Sequence, residues 1–349
     1  MNKLAINLVV WNGAKYIPYL FDSLKKQKFQ DFKLYILDNN STDNTVKLIE
    51  KELESVNFQY DFYKNKENLG FAGGHNELYQ KIVEKYFLLL NQDMYLKEDC
   101  LEKLIDFLDK NEDVAVISPR LMKWNFENIE NGLEKSFSNK IDTLGLKLYK
   151  NRQVSEIFAE YDWEEIKNNF TDNKLEVFGV SGAQPVFRKN IIDKIRLSES
   201  EFLDSDYHSY KEDVDLAYRL ATTKNKAYII LDAITYHDRT ASGLKEINKK
   251  NIIKHKQNQS DYVQYNSYKN HLLTIYKNEY WQNFLIDFFS ILWYELKKFF
   301  FYLYFKPKIL KAWIEIFKLR KKIQNKRKII KNYRKLSSQE FRKFIEIKY

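Results

Sequence analysis

Asp93 stands where a carboxylate could do chemistry. It closes the triplet Asn91-Gln92-Asp93, which stops the aromatic-aliphatic run from Tyr86 to Leu90 before apolar residues resume at Met94. A carboxylate flanked by amides at such a point could hold a divalent cation against a phosphate. The plainer alternative is a strand-to-loop turn, since Asn and Asp are common turn formers. A second acidic group, Glu212, Asp213 and Asp215, lies in YKEDVDLAYRL at 210–220. Adjacent carboxylates near one site shift each other's pKa upward, which suits a base working near neutral pH. The alternative here is a helix start that favours acidic residues through its dipole.

These residues need elements to position them. Tyr86 to Leu90 reads as a strand buried on both faces, and in open α/β sheets ligands bind at the carboxyl ends of such strands. LAINLVV at 4–10 and KLYIL at 33–37 read as further strands, with a weaker one within Asn57–Tyr63 and another in VAVIS at 114–118. Helical spacing follows the first strand from Tyr16 to Lys26. The second strand runs into a polar cluster whose Ser41 or Thr42 is expected to cap a helix through Val46, Ile49 and Leu53. NLGFAGGHN at 68–76 reads as a Gly-bearing loop before a helix over about 77–84, with His75 at the surface. Leu101, Leu104, Ile105 and Leu108 mark another helix. In VFGVSGAQPVFRKN at 177–190, small residues would let backbone approach a ligand closely. Residues 122–175 are polar and irregular apart from IDTLGLKLY at 141–149. Strands alternating with helices at this spacing predict an α/β fold, a mostly parallel sheet with helices on both faces. Gly70, Gly73 and Gly74 do not make the dinucleotide fingerprint, and no Gly-Lys-Ser/Thr is present, which disfavours a dehydrogenase or a P-loop ATPase.

The net charge of +10 is unevenly spread. Residues 306–349 carry 16 Lys/Arg and 3 Glu, leaving 42 Lys/Arg and 45 Asp/Glu in the other 305. A near-neutral body argues against a nucleic-acid partner, and the basic tail argues for an anionic surface. The one cysteine, Cys100, allows no internal disulfide and suggests a reducing compartment. Leu4–Val10 reads as a strand rather than a secretory signal.

Taken in order, VVWNG (9–13), LDNNSTDNT (37–45), NLGFAGGHN (68–76), LLNQD (89–93), VSGAQPVFRKN (180–190), YKEDVDLAYRL (210–220) and the His237 of YHDRTASG resemble a family 2 glycosyltransferase. The branch resembled includes rhamnosyl- and galactofuranosyltransferases, and the likeness spans roughly 4–245. It implies a GT-A (Rossmann-like) fold and inverting transfer of a sugar from a UDP- or dTDP-sugar to a saccharide acceptor, in bacterial cell-surface polysaccharide synthesis. It also implies Mg²⁺ or Mn²⁺ held by Asp93 and His237, although the family's Asp-x-Asp keeps only its last carboxylate here. The resemblance gives Asp213, with Glu212 as understudy, the role of general base. It assigns Trp11, Asn12 and Asp38 to the donor's base and ribose and Asn91 to ribose or phosphate. Asn68, Gly70, Gly74 and Asn76 would line the donor pocket, and Gly182 and Ala183 would lie under the donor sugar. The implied organisation is a catalytic domain over 1–250, split near 118 into nucleotide-sugar and acceptor halves, followed by a helical basic extension over 251–349.

The extension begins with FLIDFFSILWYELKKFFFYLYF at 284–305, nearly long enough to span a membrane but interrupted by Asp287, Glu295, Lys297 and Lys298. An amphipathic or re-entrant segment in the membrane interface fits better; the alternative is a helical pair packed on the catalytic domain. Ser337 to Glu340 has capping-box spacing. The expected place of action is the cytoplasmic face of the inner membrane, on a lipid-linked saccharide. Two rival readings stand beside the transferase: a catalytically inactive scaffold or sugar-binding subunit, suggested by Asn91 in place of the first Asp, and a nucleotidyltransferase, which would want a basic Gly-rich loop where Trp11-Asn12-Gly13 stands.

Overall fold

A computed structural model of the chain describes residues 2–239, 259–347 and 349. Its centre is a ten-stranded sheet. Strands β1 (Leu4–Val10), β2 (Phe32–Asp38), β3 (Gln59–Lys64) and β4 (Tyr86–Leu90) are parallel in the order β3-β2-β1-β4. After β5 (Met94–Leu96), β6 (Val114–Trp124) pairs antiparallel with β7 (Phe137–Thr143), and β8 (Leu146–Leu148) and β9 (Val154–Glu156) form a separate two-stranded sheet. β10 (Lys174–Glu176), β11 (Val186–Arg188) and β12 (Lys226–His237) complete the order β10-β12-β6-β11-β4, with β5 on the carboxyl end of β12. β11 lies antiparallel between β4 and β6, so β3, β2, β1, β4, β6 and β12 all point one way. Their carboxyl ends share one edge.

The hydrophobic pattern explains the layers. Alternate residues of β1 and β4 enter opposite cores: Leu4, Ile6, Leu8, Leu88 and Leu90 on one face, Ala5, Phe87 and Leu89 on the other. The first face is covered by α1 (Ile17–Lys25) and α4 (Cys100–Lys110), which buries Leu101, Leu104, Ile105 and Leu108 at helical spacing. The second is covered by α3 (Gly70–Tyr79). Each fully buried Leu or Phe on β4 contributes ~1.5–3 kcal/mol of transfer free energy.

Four local expectations are corrected. The 68–76 stretch is not a loop before a helix at 77–84; it is largely α3 itself. Gly74 is needed because a Cβ there would fall 2.8 Å from Val9 on β1. The helix after β2 is not capped by Ser41 or Thr42: α2 (Thr45–Leu53) starts later, with the Asp43 carboxylate accepting the Thr45 N–H. Ser41 and Thr42 bond Asn12 instead. His75 is not at the surface but buried, both ring nitrogens lacking a partner among the described residues, and burial lowers its pKa to about 3. The 122–175 region, expected to be irregular, contributes the end of β6 and all of β7, β8 and β9.

The C-terminal part is helical: α5 (Glu212–Ala221) belongs to the sheet's second face, and α6 (Asp261–Asn278), α7 (Trp281–Ile286), α8 (Phe288–Phe305) and α9 (Ala312–Tyr333) form the extension. The expected boundary at 250 lies outside the described residues, as do residues 240–243 of the YHDRTASG segment. Among the described residues no helix is long and apolar enough to cross a membrane. The capping box forms as the spacing predicts, with Ser337 and Glu340 bonding each other's backbone N–H at the start of a short helix (Ser338–Phe341).

Candidate active site

The site is built at the carboxyl edge of the sheet. β4 ends at Asn91, whose N–H donates to the Ala183 carbonyl at 3.1 Å. This brings the 181–183 turn against the strand end. Gln92 turns the other way and clasps Trp11: its Oε1 accepts the Trp11 N–H at 2.9 Å and its Nε2 donates to the Trp11 carbonyl at 3.1 Å. The middle residue of the triplet is thus a strut, and Asn91 and Asp93 are left to face the cleft.

Asp93 meets His237, the last residue of β12, with Oδ1 3.4 Å from Nε2. On the other side of the ring, Nδ1 lies 2.9 Å from Asp142 Oδ2. Burial alone would lower the pKa of His237, but the Asp93 and Asp142 charges outweigh it and hold it up at about 10. Arg239 backs the pair, with Nε 3.3 Å from Asp142 and Nη1 3.0 Å from Glu156. The donor set fits a divalent cation in a limited way. One carboxylate and one imidazole, the latter oriented by an outer carboxylate and giving up its Nε2 proton when a cation binds, would make two protein ligands. Such ions are commonly held by one or two side chains with substrate phosphates and water completing the shell. Among the described residues there is no group of three or more His, Cys, Asp or Glu that could hold a metal alone.

The opposite wall is the start of α5. The chain reaches it through a run of left-handed residues, His208 (φ 60°), Tyr210 (φ 72°) and Lys211 (φ 71°), a conformation that costs energy outside glycine. It is held from α6: Asn270 Nδ2 lies 3.1, 3.0 and 2.7 Å from the carbonyls of Tyr207, Ser209 and Tyr210. Asp213 is half-buried, and its Oδ2 accepts the Gly182 N–H at 3.2 Å. Glu212 is buried, with Oε2 lacking any hydrogen-bond partner among the described residues. Burial first, and the Asp213 charge second, push its pKa up to about 8. Burial thus favours the protonated form of Glu212, while Asp213 is the member of the pair that bonds the Gly182 turn. Asp215 faces away, into ion pairs with Arg219 and Lys277.

A cavity of about 480 Å³ joins these walls, and Asn91, Asp93, Gly182, Ala183, Glu212, Asp213 and His237 all line it. The remaining expected residues fall in two other places. Trp11, Asn12 and Asp38 sit at the adjacent carboxyl ends of β1 and β2, where Val10 pairs with Asp38. The Asn12 Oδ1 accepts the Thr42 N–H, Asp38 accepts the Ser41 N–H, and Asn68 Oδ1 accepts from Asn39 and Gly70. Trp11, Asn12 and Asn68 are exposed, the Trp11 ring by 52%. Gly70 packs against the backbone of His208. Gly74 and Asn76 are corrections: neither lines the cleft. Gly74 faces β1, and Asn76 is buried, its amide bonding the backbone of Phe202 and Leu203. Gly179, too, serves packing rather than a ligand, since a Cβ there would lie 2.3 Å from Ala217 on α5. Sequence reasoning missed Asp142, Glu156, Arg239 and Asn270. Arg239 is two residues from His237, the one local signal available.

Comparison with known proteins fits this geometry. Over 93 residues the chain is 33% identical to a teichoic acid poly(glycerol phosphate) polymerase of Staphylococcus epidermidis, covering 27% of this chain and 13% of that one. Over 121 residues it is 30% identical to the poly(ribitol-phosphate) beta-N-acetylglucosaminyltransferase TarS of Staphylococcus aureus, covering 34% and 21%. The chain thus spans less than a quarter of the length of either relative. Among solved structures, S. aureus TarS 1–349 in complex with UDP superposes with a TM-score of 0.50 at 15% identity, over 95% of this chain and 91% of that one. GalNAc-T7 with UDP, GalNAc and Mn²⁺ gives 0.57 at 10% identity, over 79% and 48%. At these identities the likeness is one of fold, a mostly parallel sheet flanked by helices of the GT-A kind. The sequence profile of glycosyl transferase family 2 matches residues 6–194, more than half of the chain, and the chain belongs to that family.

Proposed function

We propose that the protein is an inverting glycosyltransferase that moves a sugar from a UDP- or dTDP-linked donor to a growing, lipid-linked surface polymer of the teichoic-acid type. The observation that carries this reading is the cleft: Asn91, Asp93 and His237 on one wall, Gly182 and Ala183 between, and the Glu212–Asp213 pair on the other. The names of the staphylococcal relatives support the polymer class.

The acceptor hydroxyl attacks the anomeric carbon, the bond from that carbon to the diphosphate oxygen breaks, and the hydroxyl proton passes to the Asp213 carboxylate. A divalent cation bound by Asp93 and His237 would offset the charge developing on the departing diphosphate. Asp142 keeps the His237 ring oriented. Glu212, whose protonated form burial favours, stands beside Asp213 at the cleft. The tripartite lacing of the β1, β2 and 65–70 loops fixes the backbone beneath Trp11, whose ring stacks on the donor base.

The test is nucleotide release by the purified chain with Mn²⁺ and a panel of UDP-N-acetylglucosamine, UDP-galactofuranose and dTDP-rhamnose. The panel separates the N-acetylglucosamine in the name of the S. aureus relative from the rhamnosyl and galactofuranosyl donors of the branch that the motifs resemble. Release with one donor, abolished by Asp213→Asn, supports the reading. Binding of every donor without release, unchanged in Asp213→Asn, would instead make the protein a sugar-binding scaffold.

A further inference from the structure

The outer face of the C-terminal helices is apolar in a way the sequence conceals. Four charges interrupt residues 284–305 in the sequence, but three of them turn inward. Asp287 pairs with Arg152 and with Arg342. Glu295 lies 2.7 Å from His271 on α6, and Lys298 pairs with Glu295 at 3.2 Å. What remains outside is a bare aromatic and aliphatic surface: Phe289 is 83% exposed, Tyr304 76%, Phe317 66% and Trp293 63%, with Ile286 and Ile314 beside them. Soluble proteins rarely expose contiguous apolar patches larger than a few hundred Å², and such patches mark interaction sites.

The charge around this surface indicates what covers it. Lys297, Lys308, Lys311, Lys318 and Lys321 flank the exposed rings, and none of them forms a salt bridge among the described residues. Trp and Tyr rings with an apolar body and a polar end beside bare Phe rings, rimmed by lysines outside any salt bridge, match the boundary between lipid headgroups and acyl chains. A protein partner of matching charge would need an acidic rim around an apolar centre; an anionic bilayer supplies both parts at once.

We propose that the outer face of α7, α8 and the first half of α9 docks on an anionic lipid bilayer, with the helices lying in the headgroup plane. Insertion is shallow, and α8 and α9 present their inner face to α6, whose Asn270 holds the turn before Asp213. Docking therefore sets the cleft at a fixed height above the membrane, independently of which sugar is transferred.

The experiment is co-sedimentation of the full chain with vesicles of phosphatidylcholine alone and of phosphatidylcholine with 30 mol% phosphatidylglycerol (a proportion on the order of a bacterial leaflet's anionic content). Two variants accompany it: Phe289→Ser/Trp293→Ser/Phe317→Ser, and Lys308→Gln/Lys311→Gln/Lys318→Gln/Lys321→Gln. The expected result is binding to the anionic vesicles, at least ~10-fold weaker in each variant and in high salt, with circular dichroism and melting temperature unchanged. No binding by the unaltered chain to anionic vesicles overturns the proposal. So does sedimentation velocity showing a dimer without lipid that the aromatic variant dissolves, since the occupant would then be a second copy. Soluble nucleotide release is expected to survive in both variants, which keeps a failure of docking distinct from a failure of the transferase reading.

Discussion

The two sides of the cleft edge handle polar groups differently. On the side proposed for the donor, the loops after β1, β2 and β3 bond within and across one another: Asn12 with Thr42, Asp38 with Ser41, Asn39 with Asn68. On the side proposed for the acceptor, Glu212 is buried with an oxygen that no described residue satisfies. An unmade hydrogen bond of that kind costs ~1–3 kcal/mol, and it persists because the α6 network over-determines the position. Bonded polar groups build a scaffold, and the unsatisfied carboxyl lies beside the proposed base.

The largest effect should follow from removing the proposed base. Asp213→Asn is expected to lower the rate of sugar transfer by roughly 10²–10⁴ while leaving the nucleotide dissociation constant and melting temperature within error. Single-turnover nucleotide release beside calorimetric binding of UDP checks it. A loss confined to binding would move Asp213 to the donor side of the comparison.

Next is the network that holds α5. Lys277, fully buried, pairs with Asp204 and lies 2.9 Å from Asp215. Lys277→Met leaves both carboxylates short of a partner, and breaking a buried pair costs roughly 3–5 kcal/mol. Lys326 and Arg219 still hold one carboxylate each, at 2.5 and 3.0 Å, so the lower end is expected in urea denaturation. Asn270→Ala should cost less stability, ~1–3 kcal/mol, but should lower kcat more than it raises the donor KM, because the turn before Asp213 loses its anchor. Equal falls in stability and in both kinetic constants would make Asn270 only a structural residue.

How far the sequence reaches can be judged from particular residues. Short-range signals came through: the Tyr86–Leu90 strand, helix α4, and the Ser337–Glu340 capping box, whose partners are three residues apart. So did the placement of Asp93 and Asp213, because a strand end and a helix start are local features. Glycines were misread. Gly74 and Gly179 look like ligand-binding positions in sequence, yet each answers a helix packing on a strand or turn far away in the chain. Asp142 was invisible for the same reason: it is 95 positions from the His237 it orients. The tail was ambiguous because an interrupting charge does not reveal which way it points.

The pH dependence of stability tests the protonation assigned to Glu212. Its folded-state pKa is raised from 4.5 to about 8. Between those values the folded chain keeps a proton that the unfolded chain has lost. The stability contributed by this group is therefore complete below about pH 4.5 and is lost as pH rises through 8. Melting curves from pH 5 to 9 should show that decline, and Glu212→Gln, which is neutral throughout, should flatten it. An unchanged slope would mean that Glu212 is already ionised at neutral pH and that Asp213 does not act beside a protonated neighbour.

The smallest expected effect belongs to the side proposed for the donor. The loops around Trp11 are laced to one another, and the exposed Trp11 ring is the group proposed to stack on the donor base. Stacking on an aromatic contributes ~0.5–1.5 kcal/mol beyond area burial, so Trp11→Ala should weaken UDP binding about two- to tenfold with no change in kcat at saturating donor. Trp11→Phe should restore most of the affinity, since a smaller ring still presents a π face. Asn12→Ala, by contrast, should act through the backbone: it frees the Thr42 N–H and loosens the β2 loop, so its loss of affinity should come with a lower melting temperature. If Trp11→Ala also lowers the melting temperature, the ring is part of the scaffold, and the division between a laced donor side and a reactive acceptor side would have to be redrawn around Asn91 and Asp93.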